Sequence, residues 1–194
     1  MIIGVTGGIG SGKSALVRTM SSLFGCCVYD TDSAAKRIIT EDKQVKQRVE
    51  SLLGSDVFDG DTYLTSVAAR RLFADAHRLE QMNAIVHPAV AEDIRSKRCS
   101  MLIVETALLF TTPAISRICD ITIAVIAPLE LRIARAMARD NICREQIEAR
   151  IAKQLSDEEM AQRADIIITN DGSQSLQELA TTAYRQINNI LGKL

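Results

Sequence analysis

The sequence predicts an α/β fold in three layers, a parallel sheet covered by helices on both faces. Three observations predict it. Short apolar runs rich in Ile and Val recur without polar alternation, the pattern of strands buried on both faces. Helical patterns separate most of these runs, as parallel crossovers require. A glycine-rich turn joins the first apolar run to the first helical one.

The elements follow in chain order. Ile2 to Val5 reads as a strand, and Lys13 to Phe24 as the helix after the glycine turn. Cys26 to Tyr29 is a weaker fifth strand. Ser33 to Cys99 contains no convincing strand but several helical stretches, including "DKQVKQRVESLL" and "SVAARRLFADAHRLEQMNAIV". Such a block is too long for a plain crossover and apolar enough to fold as a helical subdomain. Met101 to Val104 and Ile121 to Ile126 are strands, and Leu129 to Ala138 is a helix. Arg139 to Gln162 is highly charged and helical, a small second insert. Ile166 to Thr169 closes the sheet, and Gln174 to Leu191 is the last helix.

Composition bounds the function. The chain has 194 residues, enough for one domain with an inserted subdomain, and 47% are hydrophobic and 24% charged, as in soluble proteins. With 23 Lys and Arg against 24 Asp and Glu, the net charge of −1 gives no global attraction to nucleic acid. Any anion site must be local. The cysteines Cys26, Cys27, Cys99, Cys119 and Cys143 form no C-x-x-C pair and are odd in number, which predicts reduced core thiols in a cytoplasmic protein rather than disulfides or a zinc site. The start "MIIGVTGG" has no charged leader, and no apolar run approaches the ~20 residues of a membrane helix.

Gly7 to Ser14, "GGIGSGKS", matches G-x-x-x-x-G-K-[ST] between a predicted strand and a predicted helix. Glycines let the backbone turn its N–H groups around a phosphate, and the helix N-terminus adds its dipole. Lys13 then reaches the β- and γ-phosphates, and the Ser14 hydroxyl binds Mg²⁺. The dinucleotide fingerprint G-x-G-x-x-G fails because Lys13 stands where its third glycine would be. Protein-kinase motifs and the guanine-reading N-K-x-D are absent.

Three further signals narrow the chemistry. Glu105 ends the apolar run "MLIVE", where a carboxylate either holds Mg²⁺, directly or through water, or faces solvent. In "VYDTD", Asp30 and Asp32 follow a strand and precede a helix, so one could accept a proton from an attacking hydroxyl, while Asp32 alternatively caps the helix. Arg132, Arg135, Arg139, Arg144, Arg150 and Lys153 face only Asp140, Glu145 and Glu148. They suit an arginine-bearing lid over a polyphosphate, or a solvated helix with i,i+4 ion pairs.

The combination resembles the dephospho-coenzyme A kinase family over nearly the whole chain. The resemblance is carried by "GVTGGIGSGKS", "VYDTDSAAKRI", His87-Pro88, "VETALLF", Arg139-Asp140 and "RADIIITNDGS". It implies a P-loop NTPase-type core of residues 1–32, 99–138 and 163–194, a helical acceptor-binding subdomain at 33–98, and a lid at 139–162. It implies transfer of the ATP γ-phosphoryl to the ribose 3′-hydroxyl of dephospho-CoA, with Mg²⁺. Composition and charge add the expectation of a cytoplasmic protein without nucleic acid or membrane as partner, a monomer with an oligomer as the alternative. Carried onto matching positions, Gly8, Ile9, Gly10, Ser11, Gly12, Lys13, Ser14 and Ala15 surround the ATP phosphates, and Asn170 and Gly172 flank the adenine. Asp32 is the base, Lys36 a basic substrate contact, and Arg139 part of the lid, while Ser14 with Glu105 holds the metal. His87 is either a substrate contact or a packed helix-end residue. The chain departs from the family pattern at Ala15 (threonine), Ala107 (proline) and Thr111 (glutamate), and "YLTS" after Asp59-Gly60 lacks an arginine.

Overall fold

In the computed structural model, residues 1–192 are described; the last core segment expected at 163–194 runs two residues past them. The chain forms two compact units, Met1–Tyr29 with Arg98 onward, and Asp30–Lys97.

Strand β1 (Ile2–Thr6) leads through the glycine turn into α1 (Lys13–Phe24), which Gly25 ends in the left-handed region. β2 (Cys27–Asp30) follows. The second unit then contains α2 (Thr31–Glu41), α3 (Lys43–Leu53), a hairpin of β3 (Phe58–Asp59) and β4 (Thr62–Tyr63), α4 (Thr65–Phe73) and α5 (Ala76–Ser96). The first unit resumes with β5 (Leu102–Glu105), α6 (Pro113–Ser116), β6 (Ile121–Ile126) and α7 (Leu129–Asp140). It ends with α8 (Arg144–Ile151), α9 (Asp157–Ala161), β7 (Ile166–Thr169) and α10 (Leu176–Ile190).

The five long strands form one sheet in the order β2-β5-β1-β6-β7. The pairs β1–β5, β1–β6 and β6–β7 are parallel, with Val5 opposite Glu105 and Ile123. β1 therefore lies at the centre, and the loop beyond its carboxyl end occupies the place where open α/β sheets bind ligands. Ile3, Val5, Ile103, Ile123, Val125 and Ile168 of the sheet pack with Leu16, Val17 and Met20 of α1 and Leu179, Ala183 and Ile187 of α10. Each large side chain buried here contributes about 1.5–3 kcal/mol. Among the described residues, no helix is long and apolar enough to cross a membrane.

Three expectations are corrected. The segment Ser33–Cys99 does contain strands, the hairpin in which Phe58 faces Tyr63; runs of two residues carry no readable period. His87 is not at a helix end, because α5 continues through Pro88 to Ser96. Met82, Ile85, Val86, Val90, Ala91 and Ile94 bury one side of α5 on both flanks of the proline, and that packing outweighs the lost hydrogen bond. The cysteines are not all thiols, since Cys27 and Cys99 form a disulfide. β2 and β5 are sheet neighbours, which brings residues 72 apart in sequence to a Cα separation of 6.3 Å. Cys26, Cys119 and Cys143 are free, and burial, helped by Asp120, pushes the Cys119 thiol up to about 12.

Candidate active site

The glycine turn owes its shape to close neighbours as much as to its own freedom. Gly10 has φ +77°, and a Cβ there would collide with the backbone carbonyl of Arg132. At Gly8 a Cβ would meet the Arg132 guanidinium. The loop ends at Gly12, the N-cap of α1, which supplies no capping side chain, and the first turn of α1 holds no acid. The opening amides of α1 are thus left to an external anion, with the helix dipole favouring negative charge.

At that helix end three predicted residues converge. The Lys13 ammonium lies 2.6 Å from Glu105 Oε1, and the Ser14 hydroxyl donates to the same oxygen. Both partners of the ion pair are about one-seventh exposed, at 15% and 14%. β5 delivers Glu105 because its register sets it beside Val5, one strand over from the start of the loop. A hydroxyl and a carboxylate oxygen in contact are the hard donors that Mg²⁺ accepts when phosphate and water complete its shell. No cluster of three or more His, Cys, Asp or Glu side chains that could hold a metal alone exists among the described residues.

The loop is held from behind. Asn170, only 6% exposed, donates its amide to the Ser11 carbonyl at 2.8 Å. Its own backbone N–H donates to Ile126 at 2.8 Å, and Arg135 donates to its carbonyl and side-chain oxygens at 3.1 and 3.3 Å. The side chain of Asn170 is therefore committed to the loop, and Gly172 lies in open space at φ +91°. The Ser11 hydroxyl is buried with no partner among the described residues. Ile9 does not offer its N–H to the cradle, because Gln154 accepts it at 2.8 Å.

Arg132 is one of six basic residues between 132 and 153, and composition does not single it out. It is 4% exposed, donating from Nε to the Ile9 carbonyl at 3.1 Å and from Nη1 to Asp157 at 2.6 Å. The signal available was periodic: Arg132 shares the buried stripe of α7 with Ala136, four residues on. Arg139 is exposed and grips Asp140 through two bonds of 2.6 and 2.9 Å, with Arg150 joining at 3.4 Å. These pairings hold the Asp140 carboxyl below the usual carboxylate range. Arg144 pairs with Glu148 at i,i+4 and with Glu130, the solvated ion-pair alternative.

In the second unit, the capping role belongs to Asp30, not Asp32. Asp30 accepts the Asp32 N–H at 3.0 Å and the Ser33 hydroxyl at 2.7 Å, closing the first turn of α2. Asp32 is then inside the helix, exposed, with no hydrogen bond or ion pair to its carboxylate among the described residues. Lys36, also exposed, stands one turn on along the same face. Burial holds half-buried His87 below its ordinary pKa, which favours the neutral ring.

Known proteins bear on this arrangement. A family model described as dephospho-CoA kinase matches residues 1–175. A dephospho-CoA kinase of Bacteroides fragilis is 38% identical over 195 residues, covering 96% of this chain and 94% of its own length. The crystal structure of a Thermus thermophilus protein superposes with a TM-score of 0.78 at 33% identity, covering 100% of this chain and 97% of the other. A dephospho-CoA kinase from Campylobacter jejuni, 21% identical with a TM-score of 0.68 and covering 98% of both chains, shares the fold.

Proposed function

The chain belongs to the dephospho-CoA kinase family, the kinases of the final step of coenzyme A synthesis, and we propose that its phosphoryl donor is ATP with Mg²⁺ and its acceptor group the ribose 3′-hydroxyl. The observation that carries the donor side is the meeting of Lys13, Ser14 and Glu105 at the uncapped start of α1.

Residues 33–98 bind the acceptor and residues 139–162 form the lid. Asp32 accepts the proton of the 3′-hydroxyl as its oxygen forms a bond to the γ-phosphorus and the bond to the β-phosphate oxygen breaks, releasing ADP. What supports this role is the free carboxylate left when Asp30 takes over the capping. Lys13, held by Glu105 before nucleotide arrives, donates to the transferring oxygens, and Arg139 exchanges Asp140 for the same charge. Ser14 and Glu105 would hold Mg²⁺, which when bound would supply positive charge to offset that of the transferring phosphate. Asn170 and Gly172 border the adenine, and Lys36 and His87 contact the acceptor.

We place the enzyme in the cytoplasm as a monomer acting on small molecules, without nucleic acid or membrane. A net charge of −1 supports the first exclusion. The test is ATP consumption with separate acceptors. Turnover with dephospho-CoA, and little with AMP or nucleosides, is expected; preferential turnover of a nucleoside or nucleotide would contradict the acceptor assignment.

A further inference from the structure

Ile9 is gripped on both sides of its own backbone. Its N–H is bound by Gln154, from the turn between α8 and α9, at 2.8 Å. Its carbonyl is bound by Arg132, whose guanidinium is anchored in turn by Asp157, the first residue of α9. The Ile9 side chain packs on the small cluster of Ile133, Ala136 and Ile147. Peptide planes on either side of a residue flanked by glycines are otherwise the loosest in the loop.

We propose that Gln154, with the Arg132–Asp157 pair, positions the phosphate-binding loop by fixing the two peptide planes of Ile9, and so sets the affinity for the donor nucleotide. This rests on the reading that the loop binds a nucleotide polyphosphate. Ordering backbone on binding costs conformational entropy, so a loop held before the ligand arrives binds more tightly than one ordered on binding. With the Ile9 N–H turned onto Gln154, the amides nearer α1 are the ones left to face phosphate. Arg132 and Asp157 are a poor place to test this, because removing Asp157 leaves the Arg132 charge buried without this partner and removing Arg132 leaves Asp157 without it. Gln154 carries no charge and is half-buried, so its loss tests the grip without that cost.

The experiment uses the full chain with Gln154→Met, which keeps length and removes the acceptor. ADP with Mg²⁺ is titrated calorimetrically, KM is measured for ATP and dephospho-CoA, and exchange of the Ile9 amide is followed by NMR. The loss of one hydrogen bond should raise the ADP Kd and the ATP KM about 3–10-fold. The dephospho-CoA KM and kcat should stay within about twofold, and the Ile9 amide should exchange faster. Equal rises in both KM values, or an unchanged ATP KM, would overturn the proposal. Wild-type protein gives an independent reading if the variant does not fold: the Ile9 amide should be protected both with and without ADP, and free exchange would overturn the proposal. Wild-type protein that binds no ADP would instead defeat the donor reading on which the proposal rests.

Discussion

Asp32 shows how one hydrogen bond reassigns a residue. In sequence, a carboxylate two positions after a strand served equally as cap or base, and the two neighbouring acids could not be separated. Once Asp30 holds the amide of Asp32 and the hydroxyl of Ser33, the cap is occupied and Asp32 has no structural task. Asp32→Asn should therefore leave ADP affinity and stability near wild type while lowering kcat by roughly 10²–10⁴-fold. Normal turnover in this variant would remove Asp32 from the chemistry. His87 makes a prediction of the opposite kind. Burial lowers its pKa below the ordinary 6.5, so the unfolded chain binds more protons just below that pH. Its contribution to stability is complete above pH 6.5 and is lost as pH falls through that value toward the lower folded one. Urea midpoints between pH 7.5 and 5.5 should decline for wild type and decline less for His87→Gln. The convergence of Lys13, Ser14 and Glu105 was legible because motif and strand end each named a residue. The roles of Arg132 and Gln154 were not, because their partners lie 123 and 145 residues away.

Among the elements, those that read clearly in sequence are those governed by one strong local rule. β6 and β7 have the bounds their apolar runs predict, and α1 starts after Gly12 and stops before Gly25. The β3–β4 hairpin leaves no period in the sequence because its four residues are too few to alternate, although Asp59-Gly60 marks its turn. α10 was expected two residues longer at its start; Ser175 ends that extension by forming a capping box with Glu178. This helix packs on α1 through Leu179, Ala183 and Ile187, so its cap bears on the helix that carries Lys13. Ser175→Ala should lower unfolding free energy by about 1 kcal/mol in chemical denaturation, with KM values unchanged. A shift in ATP KM larger than the stability loss explains would mean that α10 does more than support α1.

At the scale of the whole molecule, the two chain crossings between the units lie next to the disulfide. Residues 29–30 and 97–98 divide the units; Cys27 lies two positions before Tyr29 and Cys99 directly after Arg98 in sequence. No sequence rule reached this pair, since only sheet order makes neighbours of β2 and β5. The bond closes a loop spanning 72 positions, for which chain entropy gives about 4 kcal/mol, so reduction should lower the denaturation midpoint by an amount corresponding to about 2–4 kcal/mol. Cys27→Ser should match the reduced wild type and be insensitive to reductant. The kinase is defined by where the phosphoryl group goes. Turnover of γ-³²P-labelled ATP with dephospho-CoA and Mg²⁺, followed by separation of the products and location of the label, tests it most directly. The label should appear in the ribose 3′-phosphate of coenzyme A, with ADP formed in equal amount; label in inorganic phosphate, or on any other position of the acceptor, would contradict it.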